Sequence, residues 1–233
     1  MAAAGTAIEL DGEFGVYVTG TQKPLGQAAK LLLARLDTQT PANDWAVVYS
    51  TPGGGSVGHG GSALAMGRDG NNNTMVAVSG WMEQESGPHT DMLTVLFSGT
   101  GKGTLSPRCF ARGSHSGAVD GNDWATGVLL QPDVFDPLEW RVYTTGVVTN
   151  GSGNRDWRTL MYKSINVDGS QYPPPFIRRD FVGPSGNDEP AALIFQNPGV
   201  DRKFFVVGYS NQTTTAVTTG DDIYLHKYED ITP

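Results

Sequence analysis

The sequence predicts an all-β chain organised as four repeats of about 60 residues. Three observations carry that prediction. Near-copies of one phrase occur four times: Gly15-Val16-Tyr17-Val18-Thr19-Gly20, Met75-Val76-Ala77-Val78-Ser79-Gly80, Arg141-Val142-Tyr143-Thr144-Thr145-Gly146 and Phe204-Phe205-Val206-Val207-Gly208. Their closing glycines are 60, 66 and 62 residues apart. A period of that length suits an array of supersecondary units that bury their apolar faces by stacking on neighbours. Composition agrees: 17% charged residues, 31 Gly and 14 Pro suit short strands joined by turns. The one stretch that could pass for a helix, Gln27 to Asp37, has repeat equivalents that look extended, so it is read as a strand.

Each repeat is predicted to hold up to four strands. The first are Thr6 to Leu10, Ser62 to Met66, Ala125 to Leu130 and Ala191 to Phe195. Turn-forming residues follow each: Asp11-Gly12, Asp69-Gly70-Asn71, Pro132-Asp133 and Asn197-Pro198-Gly199. These supply the positive or preset φ that a hairpin needs. The glycine phrase is the second strand. The third strands are Ala28 to Leu36, Asp91 to Phe97, Trp157 to Lys163 and Ile223 to Tyr228. Fourth strands are expected at Trp45 to Tyr49, Arg108 to Ala111 and Ile177 to Val182, and the last repeat reaches Pro233 without one. The repeats span approximately residues 1–50, 51–112, 113–182 and 183–233, within a single domain.

Both faces of the glycine-phrase strands are mostly apolar, as in strands covered on both sides. With no helices to do the covering, stacked four-stranded units remain, which is the construction of a β-propeller blade. The expected fold is therefore a four-bladed propeller whose last blade lacks its outer strand. Val18, Val78, Val142 and Val206 are expected to be buried between blades. The order of these segments, Asp-Gly-x-x-x-Val-x-Val-Thr-Gly, a polar loop, Asp and a third strand, resembles the SBBP-type β-propeller repeat family. Asp120-Gly121-Asn122-Asp123 and Ser185-Gly186-Asn187-Asp188 resemble its acidic glycine loop, and His59-Gly60-Gly61 departs from it by lacking the acid. The resemblance spans nearly the whole chain. It implies a fold and supplies no catalytic residues.

The formal net charge of −8 and the lack of a basic run argue against nucleic acid and anionic membrane surfaces as partners. No apolar run approaches the length of a spanning helix. Cys109, the single cysteine, cannot form an internal disulfide, and its context reads as a buried structural thiol. No secretory leader is visible at Met1-Ala2-Ala3-Ala4-Gly5, although an extracytoplasmic setting is slightly favoured.

Blade geometry gathers several loops on one face. Its candidate ligand-binding residues are His59, His89, His115, Trp81, Trp124 and Tyr209. The aromatics could stack on sugars, or could wedge between blades. The histidine spacing follows the repeat period and matches no compact zinc motif. Asp69, Asn71 and Asn73 place oxygen ligands at alternate positions, as a calcium loop does, but without the downstream bidentate Glu; a tight hairpin turn explains them equally. No other cofactor is expected. Gly54-Gly55-Ser56-Val57-Gly58 lacks the helix that a nucleophile elbow requires. Gly99-Thr100-Gly101-Lys102-Gly103-Thr104 fails the phosphate-loop spacing. The expected function is non-enzymatic binding or scaffolding toward a protein or glycan, through the loop face or the open edge of the last blade. The rival is a glycan-active hydrolase or lyase using acids at the channel mouth.

Overall fold

The computed structural model describes residues 2–49, 57–68, 73–84, 89–100, 105–113, 121–132, 140–163, 177–181, 186–196, 203–210, 213–214, 217–218 and 222–229. Among these, the elements are strands, apart from one 3-10 turn at Pro41–Asn43. The strands form four antiparallel meanders in chain order. Sheet 1 holds β1 (Ala2–Leu10), β2 (Gly15–Lys23), β3 (Lys30–Asp37) and β4 (Trp45–Tyr49). Sheet 2 holds β5 (His59–Arg68), β6 (Asn73–Glu83), β7 (Thr90–Thr100) and β8 (Ser106–Gly113). Sheet 3 holds β9 (Trp124–Pro132), β10 (Trp140–Thr149), β11 (Arg155–Lys163) and β12 (Ile177–Phe181). Sheet 4 holds β13 (Asp188–Gln196), β14 (Lys203–Ser210) and β17 (Asp222–Glu229). The small ribbon of β15 (Thr213–Thr214) and β16 (Val217–Thr218) lies in the chain between the last two.

The helix-like stretch is strand β3. Leu31, Leu33, Arg35 and Asp37 are buried while the residues between them are more exposed. This period-2 alternation belongs to a strand. Cys109 lies in β8, opposite Leu96; its side chain lies outside the described residues.

The repeated glycine has a structural cause. Each first strand carries a bulge at the same place, with Thr6, Ser62, Thr126 or Ala191 as the extra residue. The residue just before each bulge lies opposite the closing glycine of the phrase: Gly5 faces Gly20, Gly61 faces Gly80, Ala125 faces Gly146 and Pro190 faces Gly208. The bulge tilts the first strand's backbone against the second. A Cβ on any of these four glycines would overlap a backbone carbonyl oxygen: that of Ala4, Gly60, Trp124 or Glu189 respectively. Only a residue without a side chain fits there. Two bulges also tie neighbouring sheets together. The Thr6 hydroxyl donates to the Gly61 carbonyl at 2.5 Å, and the Thr126 hydroxyl to the Pro190 carbonyl at 2.8 Å.

The sheets pack in sequence, 1 on 2, 2 on 3 and 3 on 4. Tyr17, Leu31, Leu33 and Tyr49 of sheet 1 share a core with Val76, Val78, Leu93 and Val95 of sheet 2. Ala77, Met92 and Leu96 on the other side of sheet 2 meet Val128, Val142 and Leu160. Tyr143, Trp157 and Met161 on the far side of sheet 3 meet Leu193, Phe204 and Val206. Hydroxyls cross one of these interfaces, with Thr94 and Thr144 at 2.9 Å. Sheets 2 and 3 are thus covered on both faces, as their apolar second strands require. Val78, Val142 and Val206 are fully buried. Val18 departs from expectation. It is only half-buried, because it lies on the outer face of sheet 1, where no described sheet packs.

Candidate binding surface at one end of the strands

In an antiparallel meander, the start of the first strand, the end of the second and the start of the third share one end of the sheet. His59 and Trp124 begin β5 and β9, Trp81 is near the end of β6, His89 precedes β7, and Tyr209 is near the end of β14. Register confirms the placement: Gly60 lies opposite Trp81, Trp124 opposite Val147, and Glu189 opposite Tyr209. Asn73 begins β6 and therefore stands at the opposite end. His115, Asp69 and Asn71 lie outside the described residues. Among the described residues, no group of three His, Cys, Asp or Glu side chains is arranged to hold a metal ion.

The residue two before each bulge partner stands at or just ahead of the start of the first strand and is buried in three repeats: His59, Asp123 and Asp188. His59 takes the place that an acid has in the next two. Its backbone N–H donates to the Ala29 carbonyl of sheet 1 at 2.8 Å, and the Asp123 N–H makes the equivalent bond to Thr90 of sheet 2, also at 2.8 Å. The position is therefore a joint between consecutive sheets. The His59 imidazole packs edge-on to Tyr49, with centroids 5.7 Å apart. Neither ring nitrogen has a hydrogen-bond partner among the described residues. Burial, with the nearby Lys30 charge, pushes its pKa down to about 4, so the ring is neutral at pH 7.

The acids at this end are held by the fold. One Asp123 carboxylate oxygen accepts the Thr149 N–H at 2.7 Å. Asp91 accepts the Gln84 side-chain amide at 2.9 Å, and Asp156 accepts the Asn150 amide at 3.1 Å on both oxygens. The Asn150 side-chain oxygen Oδ1 in turn accepts the N–H groups of Ser152 and Asn154. In sheets 2 and 3, then, the acid at the head of the third strand fastens the loop that precedes it.

The aromatics are engaged as well. The Trp81 indole lies against Gly60, so closely that a Cβ there would come 2.5 Å from Nε1. The Arg155 guanidinium sits over the Trp124 ring, 5.1 Å from its centre, while bonding Glu189 of sheet 4 at 2.5 Å. Trp157 is fully buried, with His226 edge-on at 5.2 Å. Trp81, Trp124 and Tyr209 are half-buried. They present partial surfaces at that end of sheets 2, 3 and 4.

A second polar cluster, unsuspected from spacing, stands at the opposite end of sheet 1. Arg35 is fully buried and pairs with Asp37 at 3.2 Å and Asp11 at 3.3 Å. Asp11 also accepts the N–H groups of Glu13 and Gly15, which shapes the β1–β2 turn. The backbone N–H groups of Thr40 and Gln39, the Asn43 amide and Arg35 hold the Asp37 carboxyl well below the usual range. The alternation of Arg35 and Asp37 in β3 was the available signal; the Asp11 partner comes from another turn and carries no local mark. No described helix is long and apolar enough to cross a membrane. Compared with protein-family models and with curated proteins, the chain matches none.

Proposed function

We propose that this chain is a non-enzymatic binding or scaffold protein, its four sheets being successive blades of a β-propeller, and that it engages a protein or glycan partner. Consecutive antiparallel meanders, three of four strands and the last of three, stacked face to face without helices, support the blade reading. So does the resemblance to SBBP-type repeats.

One observation carries the binding role. Strand β17 pairs with β14 on one side, and among the described residues no strand pairs with its other side. An edge with which no described strand pairs is the template for adding a partner strand. The acids that a glycosidase mechanism would draw on, Asp91, Asp123 and Asp156, are buried and fasten backbone and amides, which favours binding over catalysis.

The test is a screen of the intact chain on peptide and glycan arrays. Amide exchange is then measured with and without the best ligand. Protection of β17 amides on ligand binding supports the edge as the site. Protection around Trp81 and Trp124 would move the site to the strand ends. Glycan cleavage would replace the binding reading with the enzymatic one.

A further inference from the structure

The two terminal sheets expose apolar faces, and those faces are equivalents of ones that mate inside the stack. Within each glycine phrase, one alternating pair of side chains faces the following sheet. These are Tyr17 and Thr19, Ala77 and Ser79, then Tyr143 and Thr145, all buried at an internal interface. The same positions in sheet 4 are Phe205 and Val207, which point outward and are only half-buried. The other pair faces the preceding sheet: Val76 and Val78, Val142 and Thr144, Phe204 and Val206, all buried. In sheet 1 this pair is Val16 and Val18, again outward and half-buried.

Exposure elsewhere follows the same division. Ile8, Leu10, Leu36 and Val48 are 46–67% exposed. Their register with Val16, Val18 and Leu32 puts them on the outer face of sheet 1. Ile194, Ile223 and Leu225 are 60–84% exposed, and their register with Phe205, Tyr209 and Val207 puts them on the outer face of sheet 4. Nine large apolar side chains are strongly exposed among the described residues, and these seven belong to the two outer faces. Apolar surface concentrated in this way marks an interface. Among the described residues, no sheet packs on the forward face of the last sheet or on the receiving face of the first.

We propose that copies of this chain associate head to tail, the outer face of sheet 4 of one copy covering the outer face of sheet 1 of the next. The contact continues the internal sheet-on-sheet packing across a molecular boundary. It is heterologous, so it either closes a ring or continues as a filament. It uses sheet faces, and the partner proposed above uses the edge of β17, so failure of one leaves the other standing.

The test uses two charge substitutions at exposed positions, Ile8→Glu on sheet 1 and Leu225→Glu on sheet 4. Circular dichroism and thermal melting establish that each variant is folded. Sedimentation velocity across a concentration series then reads association. The native chain is expected to self-associate, and each variant alone to do so about a hundredfold more weakly, because every contact then buries an unpaired carboxylate. An equimolar mixture regains association: the Ile8→Glu copy retains an intact sheet 4 and the Leu225→Glu copy an intact sheet 1. A native chain that stays monomeric overturns the proposal. So does loss with one variant and none with the other, which would mean that like faces pair.

Discussion

Gly80 lies so close to the carbonyl oxygen of Gly60 that a methyl group on it would overlap that oxygen. The same relationship joins Gly20 to Ala4, Gly146 to Trp124 and Gly208 to Glu189. Backbone, rather than a movable side chain, blocks the space. Gly80→Ala is therefore expected to destabilise the chain by about 1–3 kcal/mol. Gly151, with no neighbouring atom within 4 Å and no left-handed φ, is the control, and its alanine variant should stay within about 0.5 kcal/mol of the native chain. Urea denaturation midpoints compare them directly.

The Arg35 guanidinium is buried between two carboxylates, Asp11 and Asp37. Truncating it leaves two buried carboxylates side by side without their shared cation. Arg35→Ala should lower stability by about 3–5 kcal/mol, and added salt should mimic little of the effect, because the pair is shielded from solvent. Asp37 adds a pH dependence. Its folded pKa lies below the ordinary 3.8, so its contribution is complete above that value and is lost as the pH falls toward the folded pKa. Acid titration of the native chain against Asp37→Asn measures that share as a difference that closes at low pH.

Much of the fold was legible because the repeat constrains it. Four occurrences of one phrase point to four successive sheets, and comparison across repeats places Lys30–Asp37 in a strand despite its helix-like run of Leu and Ala; the β15–β16 ribbon carried no repeat signal. The fourth strand at Trp45–Tyr49 falls where expected. What a single sequence conceals is which faces meet. Val16 and Val76 are interchangeable as letters, yet one faces outward and the other a neighbouring sheet. The site was less legible still. Trp124 reads as an exposed aromatic platform until Arg155, 31 residues along, is found above its ring. His59 reads as a loop histidine until its burial against Tyr49 appears.

His59 supplies a pH response in a different window. Its pKa is pushed from 6.5 in an unperturbed chain to about 4 in the folded one. Between those values the unfolded chain binds a proton that the folded chain does not, so stability rises with pH across the window. Acidification from about pH 6.5 toward pH 4 should therefore destabilise the native chain, and His59→Leu should show a shallower loss over the same range. His226, whose pKa burial also lowers, contributes in the same direction and remains in the variant. The measurement is the denaturant midpoint of both chains at half-unit pH steps. Parallel curves would mean that the imidazole is protonated equally in both states.

Val78 and Val18 occupy equivalent places in adjacent repeats, yet Val78 is fully buried and Val18 is not. The difference arises wholly from what covers each face: sheet 1 packs over Val78, and no described sheet packs over Val18. Truncating Val78 to alanine removes two methyl groups from a filled interface and should lower stability by about 2 kcal/mol. The same change at Val18 removes groups already partly hydrated, so in dilute protein it should lower stability by less than about 1 kcal/mol. Concentration separates this from an intrinsic difference between the two strands. When the outer face of sheet 1 is covered by another copy, Val18→Ala becomes a core truncation, and its effect grows with protein concentration. Val78→Ala, which acts within a single chain, keeps the same decrement throughout. Thermal denaturation over a hundredfold concentration range reads both, and equal decrements for the two valines in dilute protein would show that sheet 1 is covered within the single chain.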